Sequence, residues 1–420
     1  MPPTPPEGDF VTIYSKSPPP GGVGGVIRNT ISRLMQLKKK ERRQINSLIE
    51  RFRGEGTAPA CPHFGSCGGC LFQDMAYGDQ LLMKKQMVND TLQGIAAINS
   101  VRPSVPYRYR SRMDMVTAFG CIGLRRRGSF RFVVNVTGCS IMQEKSDSLY
   151  RKVRPHLEAV EGYDYLRHKG YLRYAVLREA RFTGQVMLNF VVAEKENRLT
   201  AVIDQVIGDA DSVSILHHGG LADLSFGDIM ETAKGGYIEE DFDGIRYRIT
   251  PNSFFQSNAG IALQMYQKIR EHARGSVLDL CAGVGSISLF IAGTADRVTG
   301  VELNPEAVET ARANREINGI NNVEFVCTDA AAFLKTAGDY ETIVMDPPRA
   351  GMQKGVMETI DRMGAGTIVY MSCNPKTFRD DVAILRNYAV ESVEAFDMFP
   401  QTPHVELLAV LKPRHGQIRS

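Results

Sequence analysis

The chain has 420 residues, 43% of them apolar and 23% charged, a soluble globular composition with room for about two or three domains. No continuous run of about 18 apolar residues occurs, which excludes a transmembrane helix, and a net charge of +3 does not by itself announce a nucleic-acid partner. The N-terminal stretch has neither an apolar signal core nor a small-residue cleavage pattern, so a cytoplasmic location is expected; the eight cysteines then point to metal binding or catalysis.

In chain order, residues 1–25 read as a flexible Pro/Gly-rich tail with one short strand in FVTIYS. Residues 28–53 read as a helix, because Ile45, Leu48, Ile49 and Phe52 share one face. Arg28, Arg33, Lys38, Lys39, Lys40, Arg42, Arg43, Arg51 and Arg53 surround that stripe against Glu41 and Glu50, either as a solvated face or as an arm that lies on phosphates. A cysteine-rich loop at 57–72 precedes a helix over about 79–98 that is placed to pack on the C-terminal domain. From 105 to about 248, short alternating runs such as MDMVTAFG, YAVLREARF and VMLNFVVA predict an α+β domain built on an antiparallel sheet. From about 250, apolar β-runs alternate with helical segments at βαβ spacing, which predicts a doubly wound α/β domain. The expected units are 1–56, 57–248 and 249–420.

The β-run VLDL leads into Cys281-Ala-Gly283-Val-Gly285-Ser286, a glycine turn that opens a helix and lets backbone approach a ligand. Glu302 ends the next β-run, where a carboxylate can bind ribose hydroxyls, and Asp329 follows the third. The third glycine of the dinucleotide fingerprint is missing. Two such acids without a pyrophosphate grip resemble a class I S-adenosylmethionine methyltransferase, a Rossmann-like fold.

Three further motifs close later β-runs. Asp346-Pro-Pro-Arg-Ala-Gly puts a carboxylate at the switch-point edge of the sheet. Cys373, in SCNP, sits at a strand's carboxyl end before a helix N-terminus that favours a thiolate. His404 and Glu406, in FPQTPHVE, lie in a loop before the last β-run, and either side chain can serve as a general base.

Together SFFQSN, DLCAGVGSIS, GVEL, DPPRAG, SCNP and FPQTPHVE resemble the RNA uracil-5-methyltransferase family, in the family's order. The resemblance implies Cys373 as nucleophile and Glu406 as general base, with Gln256, Glu302, Asp329 and Asp346 around cofactor and target base; Cys281 stands where the family commonly has an aromatic residue. The chemistry is coherent. Carbon 5 of uracil is a poor nucleophile until a thiolate adds to carbon 6 and generates an enolate. After methyl transfer a base removes the carbon 5 proton, while Asp346 is suited to hold the ring edge. The target base must first leave its stack.

Cys61, Cys67 and Cys70 fall within ten residues of a glycine-rich loop. Zinc with a fourth ligand elsewhere and an iron–sulfur cluster on four thiolates both fit that pattern. Cys139, at the end of a β-run beside glycine, can reach such a site, whereas Cys121 lies mid-pattern. The family includes members with a [4Fe–4S] cluster on three such cysteines and a distant fourth, and CGGC followed by Leu-Phe-Gln implies that cluster here. Many such relatives carry an N-terminal barrel, for which residues 1–56 lack the strands. RNA contact is then expected on the basic helix or on Arg108, Arg110, Arg112, Arg125, Arg126, Arg127 and Arg131, interleaved with Tyr107, Tyr109 and Phe130. The alternative for those arginines is charge guarding strand edges.

Two rival readings remain: methylation of another base or an exocyclic amine, which has no use for Cys373, and a non-catalytic iron–sulfur RNA-binding protein, which predicts a lost nucleophile. The expected partner is rRNA or tRNA, the cluster leaning towards rRNA, and the expected state is a monomer without a membrane.

Overall fold

In the computed structural model, residues 39–129 and 131–414 are described; the strand expected in FVTIYS, the first part of the basic segment and Phe130 lie outside the described residues. Helix α1 spans Lys39–Phe52 and α2 spans Tyr77–Thr91. The stripe on α1 packs inward for the expected reason: Ile45, buried, and Leu48, Ile49 and Phe52, partly buried, pack on Phe72, Met75 and Met83. Helix α2 stops short of residue 98 because the chain turns at Gly94, whose φ is +81°.

The two-residue strand β1 (Val101–Arg102) precedes the central sheet, made of β2 (Arg112–Ala118), β3 (Cys121–Arg125), β4 (Val133–Asn135), β5 (Leu172–Glu179), β6 (Val186–Val192), β7 (Ser212–His217) and β8 (Asp228–Lys234). Their order is β4-β3-β2-β5-β6-β7-β8. The sheet is not wholly antiparallel, as alternation had suggested: β6 and β7 run parallel. A helix at Thr200–Val206 makes the crossover that a parallel pair requires. A second helix, Glu144–Leu157, also belongs to this region, and a hairpin of β9 (Ile238–Phe242) and β10 (Ile245–Ile249) follows.

The C-terminal sheet comprises β11 (Ser276–Leu280), β12 (Arg297–Glu302), β13 (Val323–Cys327), β14 (Thr342–Met345), β15 (Thr367–Ser372), β16 (Tyr388–Phe396) and β17 (Glu406–Pro413). Its order is β1-β16-β17-β15-β14-β11-β12-β13, with β11 to β15 parallel and β17 antiparallel to both neighbours. Strands β14 and β15 are buried along their whole length, as near-continuous apolar runs require. From β11 the chain winds outward through β12 and β13, then returns to β14 on the other side, so the switch point lies between β11 and β14. This is the doubly wound α/β fold expected.

The N-terminal third is clamped to this sheet. Lys84 of α2 pairs with Asp397, both with fully buried side chains, and its ammonium also donates to Phe399 O at 3.1 Å. Tyr77 Oη donates to Asp397 Oδ2 at 2.9 Å. One continuous apolar core joins Met115 and Tyr171 of the central region to Met265, Phe290 and Met371. Among the described residues no helix is long and apolar enough to cross a membrane.

Burial pushes the Lys84 ammonium below its ordinary range, and Asp397 opposes that shift. Removing one partner of such a pair strands a buried charge, at a cost of about 3–5 kcal/mol. Lys84→Met should therefore lower the denaturant midpoint strongly, and adding Asp397→Leu should recover part of the loss. A single variant as stable as the wild type would show that the pair does not hold the N-terminal third in place.

Candidate active site

The parallel strands deliver the sequence motifs to one edge in a fixed spatial order. Leu280 pairs with Val301 on one side and Met345 on the other, so Cys281, Glu302 and Asp346 leave the sheet side by side. Met345 pairs with Tyr370, and Ser372 with Leu407. Cys373 therefore leaves β15 beside the start of β17, whose first residue is Glu406. Glu406 begins a strand rather than lying in a loop as expected. Its backbone is fixed by pairing with Phe396.

At the β11–β12 end, Gly283 takes φ +56° and would point a Cβ into open space, which leaves that side of the turn clear for a ligand. Gly285, at φ +80°, is needed for packing: a Cβ there would stand 2.6 Å from Phe325. The Glu302 carboxylate accepts from Gly283 N at 3.0 Å and from Asn304 N at 2.8 Å, which sets its position against the turn. Ser286 is held by Tyr266, its hydroxyl 3.0 Å from Tyr266 Oη, and its carbonyl accepts from Tyr247 Oη at 3.0 Å. Asp329 caps the helix Ala330–Leu334, one oxygen accepting from Ala331 N and Ala332 N at 2.9 and 3.1 Å. Gln256 donates to Asp346 Oδ2 at 3.2 Å, which brings SFFQSN to the site. That segment is fixed by Ser111 N, which donates to Ser257 O at 2.8 Å, and by Arg178, which donates to Ser253 O.

A further acid beside this turn is Asp279. It is fully buried in β11, accepts from Ser288 Oγ at 2.5 Å and keeps its Oδ1 without a hydrogen bond. Burial pushes the Asp279 carboxyl up to about 7. Burial and then Asp279 push Asp346 up to about 8, against the Gln256 hydrogen bond. The Cys281 thiol is raised above its usual range by burial and then by Glu302, Asp346, Asp279 and Asp329. Four carboxyl groups thus act on one turn, and a cation such as a sulfonium bound beside them would favour the ionised forms of Asp279 and Asp346. Asp279 was visible in the sequence only as a charge inside an apolar β-run, a signal worth following.

At the β15–β17 end, Arg349 ties three motifs together. Its guanidinium donates to His404 Nδ1 at 3.3 Å, and its carbonyl accepts from Asn374 Nδ2 at 3.3 Å. Both His404 and Glu406 are buried. Arg349 thereby engages the Nδ1 of His404.

Cys61, Cys67, Cys70 and Cys139 line one cavity together with His63 and Gln73; Cys121 is not among its lining residues. Burial pushes Cys67 up to about 12 and Cys139 up to about 11, and Cys70 higher still. Among the described residues no three His, Cys, Asp or Glu side chains converge closely enough to hold a single metal ion. The four thiols share one cavity without converging on a single ion position.

Part of the arginine stripe is spent internally. Arg112 pairs with Asp114, Arg125 with Asp223 and Arg108 with Asp147; Arg127 donates to Cys70 O at 2.8 Å, and Tyr109 is fully buried. Arg126, Arg131 and Phe132 stay exposed at the tip between β3 and β4. That tip rests on the cysteine loop, where Gly68 N donates to Arg125 O at 2.9 Å.

Residues 237–414 match the family described as tRNA (uracil-5-)-methyltransferase. The chain is 36% identical over 357 residues to the tRNA (uracil(54)-C(5))-methyltransferase of Pyrococcus furiosus, covering 84% of either chain. It belongs to the RNA uracil-5-methyltransferase family. It is 32% identical over 419 residues to an uncharacterized RNA methyltransferase of Caldanaerobacter subterraneus, covering 93% of this chain and 92% of that one. The crystal structure of Pyrococcus abyssi tRNA (uracil-54, C5)-methyltransferase in complex with S-adenosyl-L-homocysteine superposes with a TM-score of 0.73 at 33% identity, covering 81% of this chain and 84% of that one. The protein is thus an enzyme, an S-adenosylmethionine-dependent methyltransferase of uracil carbon 5 in RNA.

The raised acids give this RNA methyltransferase a signed pH dependence. A carboxyl easier to protonate when folded contributes stability below the unfolded value of about 3.9, and that contribution is lost as pH rises through the folded value. Without cofactor, stability should fall between about pH 4 and about pH 8, through the values of about 7 for Asp279 and about 8 for Asp346. The double variant Asp279→Asn, Asp346→Asn should flatten that slope. Parallel denaturation profiles for wild type and variant from pH 5 to 9 would show that these acids ionise normally.

Proposed function

We propose that this enzyme methylates a tRNA uridine through a covalent adduct, with Cys373 as nucleophile and Glu406 as general base. The observation that carries the reading is the β15–β17 register, which sets Cys373 beside Glu406. The relatives' names turn the choice of RNA from ribosomal to transfer, and a uridine equivalent to position 54 is the first candidate. Gly283, Ser286, Glu302 and Asp329 would hold the adenosyl part, and Gln256, Cys281 and Asp346 the boundary between cofactor and base. S-adenosylmethionine supplies, when bound, a methyl group on a sulfonium. The Cys373 sulfur forms a bond to carbon 6, and the double-bond electrons move onto the ring as an enolate. Carbon 5 is then nucleophilic and takes the methyl group, whose bond to the sulfonium sulfur breaks to leave a neutral thioether. Glu406 accepts the carbon 5 proton, the double bond re-forms and the sulfur leaves. Asp346 anchors the ring edge throughout.

The four-thiol cavity is read as a [4Fe–4S] site held by Cys61, Cys67, Cys70 and Cys139. Its role is structural: it supports the Arg126–Phe132 tip as an RNA-contacting surface, where Arg126 lies 5.5 Å from the Phe132 ring. The protein is read as a monomer acting in the cytoplasm, where thiols stay reduced.

Two experiments test these assignments. Cys373→Ala should abolish methylation while leaving cofactor binding intact, and Glu406→Gln should accumulate a denaturant-stable adduct with methylated RNA. An active Cys373→Ala enzyme would sink the covalent mechanism, and an adduct from His404→Ala but not from Glu406→Gln would move the base to the histidine. Protein prepared anaerobically should carry about four irons and four sulfides per chain. Cys139→Ser should lose them and Cys121→Ser should keep them; stoichiometric zinc in place of iron would overturn the choice of metal.

A further inference from the structure

Gln401 lies five residues before Glu406, is almost fully buried and adopts φ +68°, a left-handed conformation unusual for a side chain of this kind. All four of its polar groups are bound to the N-terminal third. Its carbonyl accepts from Leu71 N at 2.7 Å and from Phe72 N at 3.3 Å. Its amide nitrogen donates to Gln80 Oε1 at 3.1 Å, its Oε1 accepts from Gln80 Nε2 at 3.0 Å, and its Nε2 donates to Pro106 O at 3.4 Å. Gln80 Nε2 also reaches Phe72 O and Met75 O, each at 3.0 Å. Leu71 directly follows Cys70, whose thiol lines the four-cysteine cavity. On the other side, Thr402 Oγ1 accepts from His404 N at 3.3 Å, and Glu406 opens β17.

We propose that Gln401 is a positioning residue for the step after methyl transfer: it ties the thiol-bearing loop to the start of β17, so the state of the four-thiol cavity governs how Glu406 meets carbon 5. This rests on the covalent reading above. In that step the carbon 5–hydrogen bond breaks and the proton passes to the Glu406 carboxylate. The electron pair re-forms the ring double bond, and the carbon 6–sulfur bond breaks to free the Cys373 thiolate. Methyl transfer itself uses Cys373 and the cofactor end of the edge, which Gln401 does not touch. A misplaced base about 1 Å from its working position costs on the order of a hundredfold.

The test uses full-length protein, purified anaerobically, with S-adenosylmethionine and an unmodified tRNA transcript. Gln401→Gly is the informative variant, because glycine keeps φ +68° and the backbone bonds to Leu71, Phe72 and Gln80 without strain, and loses only the side-chain bonds to Gln80 Nε2 and Pro106 O that brace them. It should bind S-adenosylmethionine and retain iron and sulfide as the wild type does. It should methylate in the first turnover, then accumulate denaturant-stable adduct, with kcat reduced about tenfold to a hundredfold, KM for RNA lowered in proportion and kcat/KM unchanged. Gln80→Met, which leaves residue 401 in place, should reproduce this pattern, and so should wild-type protein stripped of iron by an anaerobic chelator. Wild-type kcat in both variants would overturn the proposal. So would loss of iron from Gln401→Gly, or loss of first-turnover methylation with no adduct. If Glu406→Gln also forms no adduct, the covalent reading fails first and the latch falls with it.

Discussion

The catalytic edge depends on a buried ammonium–carboxylate contact made outside the catalytic sheet's own elements. Residues 397–406 contain two prolines and, until Glu406, no regular structure, so their backbone groups cannot be satisfied by a ladder. Lys84 and Tyr77 grip Asp397, Lys84 also takes Phe399 O, and Tyr109 Oη donates to Pro400 O at 3.0 Å. Asn258, capping the helix Ala259–His272, donates to Met398 O at 3.1 Å. A charge pair taken out of water gives little net stability, but it tolerates few alternative geometries. Its value here lies in fixing where β17 begins.

Most of the site was legible in the sequence because parallel strands end in short, local signals. A glycine turn, an Asp-Pro-Pro turn and a Cys-Asn-Pro turn each announce a strand's carboxyl end, and in a doubly wound sheet all those ends share one edge. Likewise the spacing of Ile45, Leu48, Ile49 and Phe52 fixed a helix face without knowledge of its partner. What the sequence withheld is direction and pairing at a distance. The alternating runs at β6 and β7 look alike whether parallel or antiparallel, and Val101–Arg102 carries no sign that it extends the C-terminal sheet beside β16. The partners of the arginine stripe were hidden for the same reason. Arg112 and Arg125 pair with carboxylates of which Asp223 lies 98 positions away. Gln80 and Gln401, 321 positions apart, had no local signature at all.

Two electrostatic regimes share the edge, and the strand order separates them. Neighbouring strands lie about 4.8 Å apart, so Cys373 just past β15 and Glu302 at the end of β12, three strand spacings away, are separated by about 14 Å along the edge. The acids of Asp279, Glu302 and Asp329 lie on the β11–β13 side, where a cationic cofactor gains from them. The thiol and Glu406 lie on the β15–β17 side, farther from that negative cleft. Asp346, on β14, is the only one of the acids that stands between the two groups. Its carboxyl is already disposed to hold a proton by burial and by Asp279. A bound sulfonium would favour its ionised form, which is the form that accepts a hydrogen bond from a ring N–H. Under the proposed assignment, cofactor binding on one side would thereby prepare the ring-holding group on the other, and the methyl group would cross the edge at that same strand.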